Sequence, residues 1–82
     1  MSESRYAIVE SCMRPSGAWA KTQATWTEED CARTAFKYAT WFGPGHGIIW
    51  ARTLTLRRST WTQGERESVV LDERQLGERT QP

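Results

Sequence analysis

Residues Thr27–Pro44, TEEDCARTAFKYATWFGP, decide the fold because they predict the one helix of the chain. Thr27 begins a capping-box pattern with an acidic residue three positions later, and the three consecutive carboxylates that follow it suit the positive end of a helix dipole. Gly43 is a typical residue just past a helix C-terminus, and Pro44 cannot continue a helix. Together these signals predict a helix over residues 28–42.

One face of this predicted helix is apolar. The residues on it recur at the 3.6-residue period of a helix; they are Cys31, Ala32, Ala35, Phe36, Ala39 and Phe42. Trp26, just before the cap, is expected to close over Cys31 as a hydrophobic staple. Because an amphipathic helix buries its apolar side, this face is expected to lie against a sheet.

Extended segments are predicted on both sides of the helix. Alternating apolar residues and β-branched or aromatic composition indicate strands, and these are Arg5–Cys12, Ala18–Trp26, Ile48–Arg58 and Glu67–Leu71. Turn residues separate the members of each pair, at 14–17 and at 62–65. Arg52 interrupts the alternation within the third strand, which predicts a bulge or a partly open face.

The order β-β-α-β-β predicts an α+β domain, with a four-stranded antiparallel sheet packed on one α-helix. The third strand is expected to join the sheet beside the first, and the second hairpin is expected to pair its own strands. The domain is expected to span residues 1–72, followed by a polar, disordered tail at 73–82.

Composition limits the classes of function. The chain has 82 residues, of which 38% are hydrophobic and 26% charged, so it is too apolar for a disordered protein and too short for a two-domain enzyme. Five Trp residues are expected to supply much of the core. With no apolar run long enough to span a membrane and no signal peptide at the N-terminus, a cytoplasmic location in a bacterial host is expected. Cys12 and Cys31 are then expected to be reduced thiols.

The chemistry-bearing residues do not form a catalytic pattern. His46 is the one general base of the usual kind, and it lies in the glycine-rich loop at residues 43–47. This loop leaves a helix, whereas phosphate-binding loops lead into one, so we interpret it as a turn. The Cys and His spacings match no metal site. We therefore expect neither an enzyme nor a metal or other cofactor.

Positive charge is concentrated in the middle of the chain. Residues 31–64 contain five basic residues and no acidic one, whereas residues 1–30 and 65–82 each contain three basic and five acidic residues. Aromatic residues are interleaved with these bases, a combination used both by nucleic-acid-binding surfaces and by protein–protein hot spots. The predicted binding residues are Lys37, Trp50, Arg52, Arg57, Arg58 and Trp61.

The order of three segments, Tyr6–Val9, Thr27–Asp30 with its Ala-rich helix, and Gly47–Thr55, resembles that in small phage and prophage accessory proteins. Among these, the chain is similar in length and element order, over residues 5–72, to a group of anti-CRISPR inhibitors with a curved antiparallel sheet wrapped on one helix. The resemblance implies a non-enzymatic protein that binds a host macromolecular complex and blocks it. It carries over no individual residue.

Three functions stay open at this point. The first is an inhibitor of a host protein or ribonucleoprotein complex, in which Arg52, Arg57 and Arg58 supply charge-assisted hydrogen bonds and Trp61 and Trp50 act as anchors. The second is a small protein that binds nucleic acid directly through the same residues, with an affinity that falls steeply with salt. The third is a homodimeric structural or assembly protein. None of them involves a membrane.

Overall fold

The computed structural model describes residues 3–45, 48–76 and 79–80 of the chain. These residues form five strands and one helix: β1 (Glu3–Arg14), β2 (Gly17–Trp26), α1 (Glu29–Lys37), β3 (Ile48–Thr62), β4 (Glu65–Gln75) and β5 (Arg79–Thr80). The strands are antiparallel and lie in the order β2-β1-β3-β4, while β5 pairs with the start of β3. The predicted α+β class and four-stranded antiparallel sheet are confirmed, as are the pairing of β3 with β1 and of β3 with β4.

The strands of the second hairpin are longer than their sequence pattern indicates. β3 continues to Thr62 and β4 continues to Gln75. β4 therefore passes residue 72, where the predicted domain ends, and β5 lies within the segment predicted as a disordered tail. The added residues of β3, at 59–62, and of β4, at 65–66 and 72–75, are polar apart from Trp61, so hydrophobic periodicity does not reveal them.

Both hairpin turns fall where the sequence predicts them. The β1–β2 turn places Gly17 at a φ of 123°, a value that suits glycine. In the β3–β4 turn, Gln63 and Gly64 have φ values of 52° and 83°. Two consecutive positive φ values are the mark of a type I′ turn, whose twist matches that of the paired strands.

Each pairing in the four-stranded sheet contains one bulge. Gln23 is the extra residue on β2 and Leu71 is the extra residue on β4. On β3, two residues, Ala51 and Arg52, lie opposite Cys12, and Ala51 has a φ of 48°. The bulge predicted at Arg52 is therefore confirmed. An inserted residue shifts the two-residue alternation, so a bulged strand can keep apolar residues on one side over its full length.

The buried core is small and mostly aliphatic. Its cluster contains residues of the sheet and of α1, namely Ile8, Leu54, Leu56, Ala32 and Phe36. We call the side of the sheet that carries Ile8, Leu54 and Leu56 the helix side. The Trp residues supply less of the core than predicted: Trp26 and Trp41 pack against the cluster, but Trp19, Trp26, Trp41 and Trp61 are all only partly buried. The apolar face of the helix is also narrower than predicted, because Cys31 is exposed and Phe42 is 75% exposed.

The helix is nine residues long and does not extend over residues 28–42 as predicted. Its N-cap is Glu28, with no side-chain capping bond, so the predicted Thr27 cap is wrong by one residue. Trp26 does not staple the exposed Cys31; it packs against the core cluster. At the other end, Arg74 of β4 donates to the carbonyl oxygens of Lys37 and Ala39. Within the described ranges, no helix is long and apolar enough to cross a membrane.

A buried carboxylate explains the path of the chain after the helix. Glu10 of β1 is 2% exposed, and its Oε1 accepts hydrogen bonds from the backbone amides of Phe42 and Gly43 at 2.9 and 3.1 Å. The bulged Gln23 donates to the same oxygen at 3.0 Å and to the Thr40 carbonyl at 2.7 Å. In a longer helix, the amides of Phe42 and Gly43 would donate to carbonyl groups of the helix itself. Because they donate to Glu10 instead, the chain leaves the helix and runs over β2.

Candidate interaction surface

The side of the sheet that faces away from α1 is its open face. Successive side chains of a strand point to opposite faces, so the odd-numbered residues of β3 from Thr53 to Trp61 lie on this face and Leu54 and Leu56 lie on the helix side. Arg57 and Val70 on this face are exposed, the latter at 45%, whereas Thr55 in the middle of β3 is buried. The part of the open face around Arg57 is therefore available to a partner.

Three cross-strand rows bring arginines and a tryptophan together at one end of the open face. The rows across β1, β3 and β4 are Glu3–Trp61–Arg66, Arg5–Ser59–Ser68 and Ala7–Arg57–Val70. Residues directly opposite each other in an antiparallel pair have Cβ atoms about 4.5–5.5 Å apart. We call Arg5, Arg57, Trp61 and Arg66 the arginine–tryptophan patch.

The contacts within this patch are few and open to solvent. The Arg66 guanidinium carbon lies 6.0 Å from the centre of the Trp61 ring, in cation–π range. Arg5 forms an ion pair with Glu3 at 3.6 Å, and both side chains are more than half exposed. Glu3, Arg5 and Trp61 line an open depression of about 610 Å³. The guanidinium groups keep most of their donors for a ligand.

The structure separates the predicted binding residues. Arg57 and Trp61 lie on the open face. Arg58 lies on the helix side, opposite Tyr6. Tyr6, the residue opposite Arg58, donates through its hydroxyl to Glu29 at 3.5 Å, so this position of the sheet lies near the start of the helix. Arg33, which hydrogen-bonds Glu29, lowers the pKa of that carboxyl.

Lys37 and Arg52 make local contacts elsewhere. Lys37 ends α1 and is exposed, with its Nζ 5.7 Å from the ring centre of Tyr38. Arg52 lies 5.6 Å from the centre of the Trp41 ring and donates through Nη2 to the Leu76 carbonyl at 3.3 Å. Arg52 therefore has a structural role at the bulge, where it holds the end of β4 to β3.

Two predicted residues fall outside what the structure describes. Trp50 pairs with Met13 along the backbone, but its side chain is not among the described ones. His46 and Gly47 lie in the gap between the described ranges. The predictions made for Trp50 and for His46 stay predictions.

Arg5 and Arg66 are the patch residues that sequence reasoning missed. Each has acidic neighbours in the chain, so neither belongs to the acid-free segment at residues 31–64. Arg66 could have been identified from the sequence of the hairpin turn. A two-residue turn at Gln63–Gly64 pairs Thr62 with Glu65 and, one step further, Trp61 with Arg66.

The thiols and carboxylates that the structure describes show no convergent arrangement. Cys12 is buried on the helix side, and burial is the main cause that raises the pKa of its thiol. Cys31 is exposed, with its Sγ 3.7 Å from Glu28. Among the residues that the structure describes, no three His, Cys, Asp or Glu side chains are grouped so that they could hold a metal ion.

Comparison with known proteins gives no family for this chain. No protein-family model matches it, and no curated protein or solved structure is significantly similar to it. Its function must therefore be inferred from its own residues and their arrangement.

Proposed function

We propose that this chain is a non-enzymatic binding protein of the phage accessory type, which docks on a host macromolecular complex and inhibits it in the bacterial cytoplasm. The observation that carries this proposal is the arginine–tryptophan patch on the open face. In this account α1 is the layer that covers the opposite side of the sheet, as the shared burial of Ala32 and Phe36 with strand residues supports.

The patch has the chemistry of a protein-binding hot spot. Trp and Arg are the residues most enriched at such sites, because one buries a large rigid surface and the other makes planar, paired hydrogen bonds to carboxylates. Trp61 lies between the Glu3 and Arg66 positions of the neighbouring strands, so this aromatic side chain is flanked by charged residues of both signs. The expected partner surface carries Asp or Glu side chains around an apolar depression that takes the Trp61 ring.

The acidic residues on the same face favour a protein partner over nucleic acid. Glu3 lies in the same row as Trp61, and Glu73 lies further along the face opposite Thr55. A surface that binds a phosphate backbone gains its affinity from several uncompensated positive charges. Here each carboxylate would repel a phosphate group, whereas a protein partner can present acidic groups to the arginines and basic groups to the carboxylates.

A matched pair of variants tests this proposal. Arg57→Gln and Arg58→Gln remove the same charge from adjacent residues of β3, one on the open face and one on the helix side. The purified, tagged wild-type protein and both variants are incubated with nuclease-treated bacterial lysate, and the retained proteins are identified and quantified. We expect a stoichiometric partner to be retained by the wild type and by Arg58→Gln and to be lost from Arg57→Gln.

Two other outcomes would contradict the proposal. Equal loss of the partner from both variants, or from neither, would show that the open face does not make the contact. Retention of nucleic acid instead of protein in untreated lysate, with release at high salt, would assign the face to direct nucleic-acid binding. Circular dichroism of each variant excludes unfolding as the cause of a loss.

A further inference from the structure

We infer that the outer edge of β2 is a self-association site, at which a second copy of this chain adds its own β2 in antiparallel orientation, with Ala20 on the two-fold axis. The resulting dimer has one continuous sheet with both helices on the same side. This inference concerns a different surface from the arginine–tryptophan patch and does not rest on the proposed function.

The two edges of the sheet differ sharply in charge. Charged side chains on an edge strand discourage pairing with other chains. β4 carries six charged residues, Glu65, Arg66, Glu67, Asp72, Glu73 and Arg74, whereas β2 carries one, Lys21. β2 also presents small exposed side chains such as Ala18, Ala20 and Thr22, over which another backbone can approach closely. β2 is therefore the less protected of the two edges, and its own obstacles to strand addition are Lys21 and the bulge at Gln23.

Side-chain alternation selects the register. In an antiparallel pair, residues directly opposite each other point to the same face of the sheet. Neighbouring residues of one strand point to opposite faces, so they cannot lie opposite each other in a symmetric pair. The two-fold axis must therefore pass beside one residue, which lies opposite its own copy. An axis at Lys21 would place two ammonium groups opposite each other. An axis at Ala20 places Lys21 opposite Trp19 of the second copy, both on the helix side. This pairing runs over residues 18–22 and stops before the bulge at Gln23.

A single chain exposes more surface than a compact monomer of its mass. The exposed area is 5694 Å², whereas a monomer of this mass is expected to expose about 5,000 Å². Phe42, which is 75% exposed, follows Thr40, whose carbonyl is held by Gln23 of β2. Its ring therefore adds apolar area beside the same edge.

Cysteine cross-linking tests the register directly. Opposite residues of an antiparallel pair have Cα atoms about 4.5–5.5 Å apart, within the range that a disulfide bridges. Ala20→Cys is made in a Cys31→Ser background, which removes the exposed native thiol. The matched control, Ser68→Cys in the same background, places an exposed thiol on the charged edge strand β4. Mild oxidation is followed by non-reducing electrophoresis.

We expect Ala20→Cys to give a linked species of twice the 9.4 kDa chain mass, and Ser68→Cys to stay single. We also expect light scattering to show a dimer for the wild type and a single chain for Ala20→Glu, which sets two carboxylates on the axis. A wild type that stays a single chain at all concentrations, or a dimer that Ala20→Glu leaves intact, would overturn the inference. Ala20 is exposed, so loss of folding does not explain either result.

Discussion

Gly43 donates its backbone amide to the buried carboxylate of Glu10 across 33 positions of sequence, at 3.1 Å. This one hydrogen bond joins the segment after the helix to the middle of β1. The same oxygen also accepts from the Phe42 amide and from the side chain of Gln23, so the buried carboxyl of Glu10 is satisfied by two amides beyond the helix and by one side chain of β2. The arrangement explains both the short helix and the fixed path of residues 38–45 over β2.

Glu10→Ala is expected to lower the free energy of unfolding by about 2–4 kcal/mol, because it leaves several donors without an acceptor in a partly buried site. Glu10→Gln keeps an acceptor oxygen and is expected to lose less. Chemical denaturation followed by Trp fluorescence measures both. Glu67→Ala, at an exposed position of β4, is the control and should change little. A loss no larger than that of the control would show that the Glu10 bonds are not structural.

Gly43→Ala is expected to destabilise the protein by about 1–3 kcal/mol, because the added Cβ has no room. A Cβ at Gly43 would lie 2.7 Å from ring atoms of Trp19 and Trp41, two indoles whose centres are 5.6 Å apart. Gly45→Ala is the matched control, since a Cβ there meets nothing within 4 Å. Thermal melting compares the two variants, and equal melting temperatures would contradict the close packing at Gly43.

Gln63→Asn is expected to raise the free energy of unfolding by about 0.5–1 kcal/mol, because Asn tolerates the left-handed conformation of a type I′ turn better than Gln. Gln63 has a φ of 52° and precedes Gly64. Gln63→Val should have the opposite sign, since β-branched residues fit poorly at positive φ. Denaturant titration measures both changes, and two changes of the same sign would refute the turn assignment.

The two thiols are expected to react at different rates. Burial raises the pKa of the Cys12 thiol, so at neutral pH a smaller fraction of it is the reactive thiolate, and access to it is also blocked. Cys31 is exposed. A colorimetric thiol reagent should modify one thiol quickly in the native protein and the second only slowly, or on denaturation. In Cys31→Ser the fast phase should disappear, and its persistence would place the exposed thiol at Cys12 instead.

The element order could be predicted from the sequence because local signals mark it. The turns at Pro15–Gly17 and Gln63–Gly64 and the alternation in β1 and β3 are properties of short segments. The helix end could not be predicted, because it depends on Glu10 and Arg74, which are distant in the chain and reach the segment only in the folded state. The sequence predicts that Gly43 ends the helix. In the structure this glycine lies after the helix, in close contact with the indole rings of Trp19 and Trp41.

The candidate surface was predicted only in part for a related reason. Composition groups residues that are near in sequence, so it joined Arg57 with Arg58, which point to opposite faces of β3. It separated Arg66 from Trp61, which are direct cross-strand neighbours. Strand register, not charge density along the chain, decides which side chains share a face.

The open face is proposed to bind the partner through the arginine–tryptophan patch. The most direct test is the dissociation constant of the purified partner, measured by calorimetry for the wild type, Arg57→Gln and Arg58→Gln. The account predicts that Arg57→Gln weakens binding by about tenfold or more, as expected for the loss of a hot-spot residue, while Arg58→Gln stays within about twofold of the wild type. Equal weakening by the two variants, or a larger effect of Arg58→Gln, would contradict it.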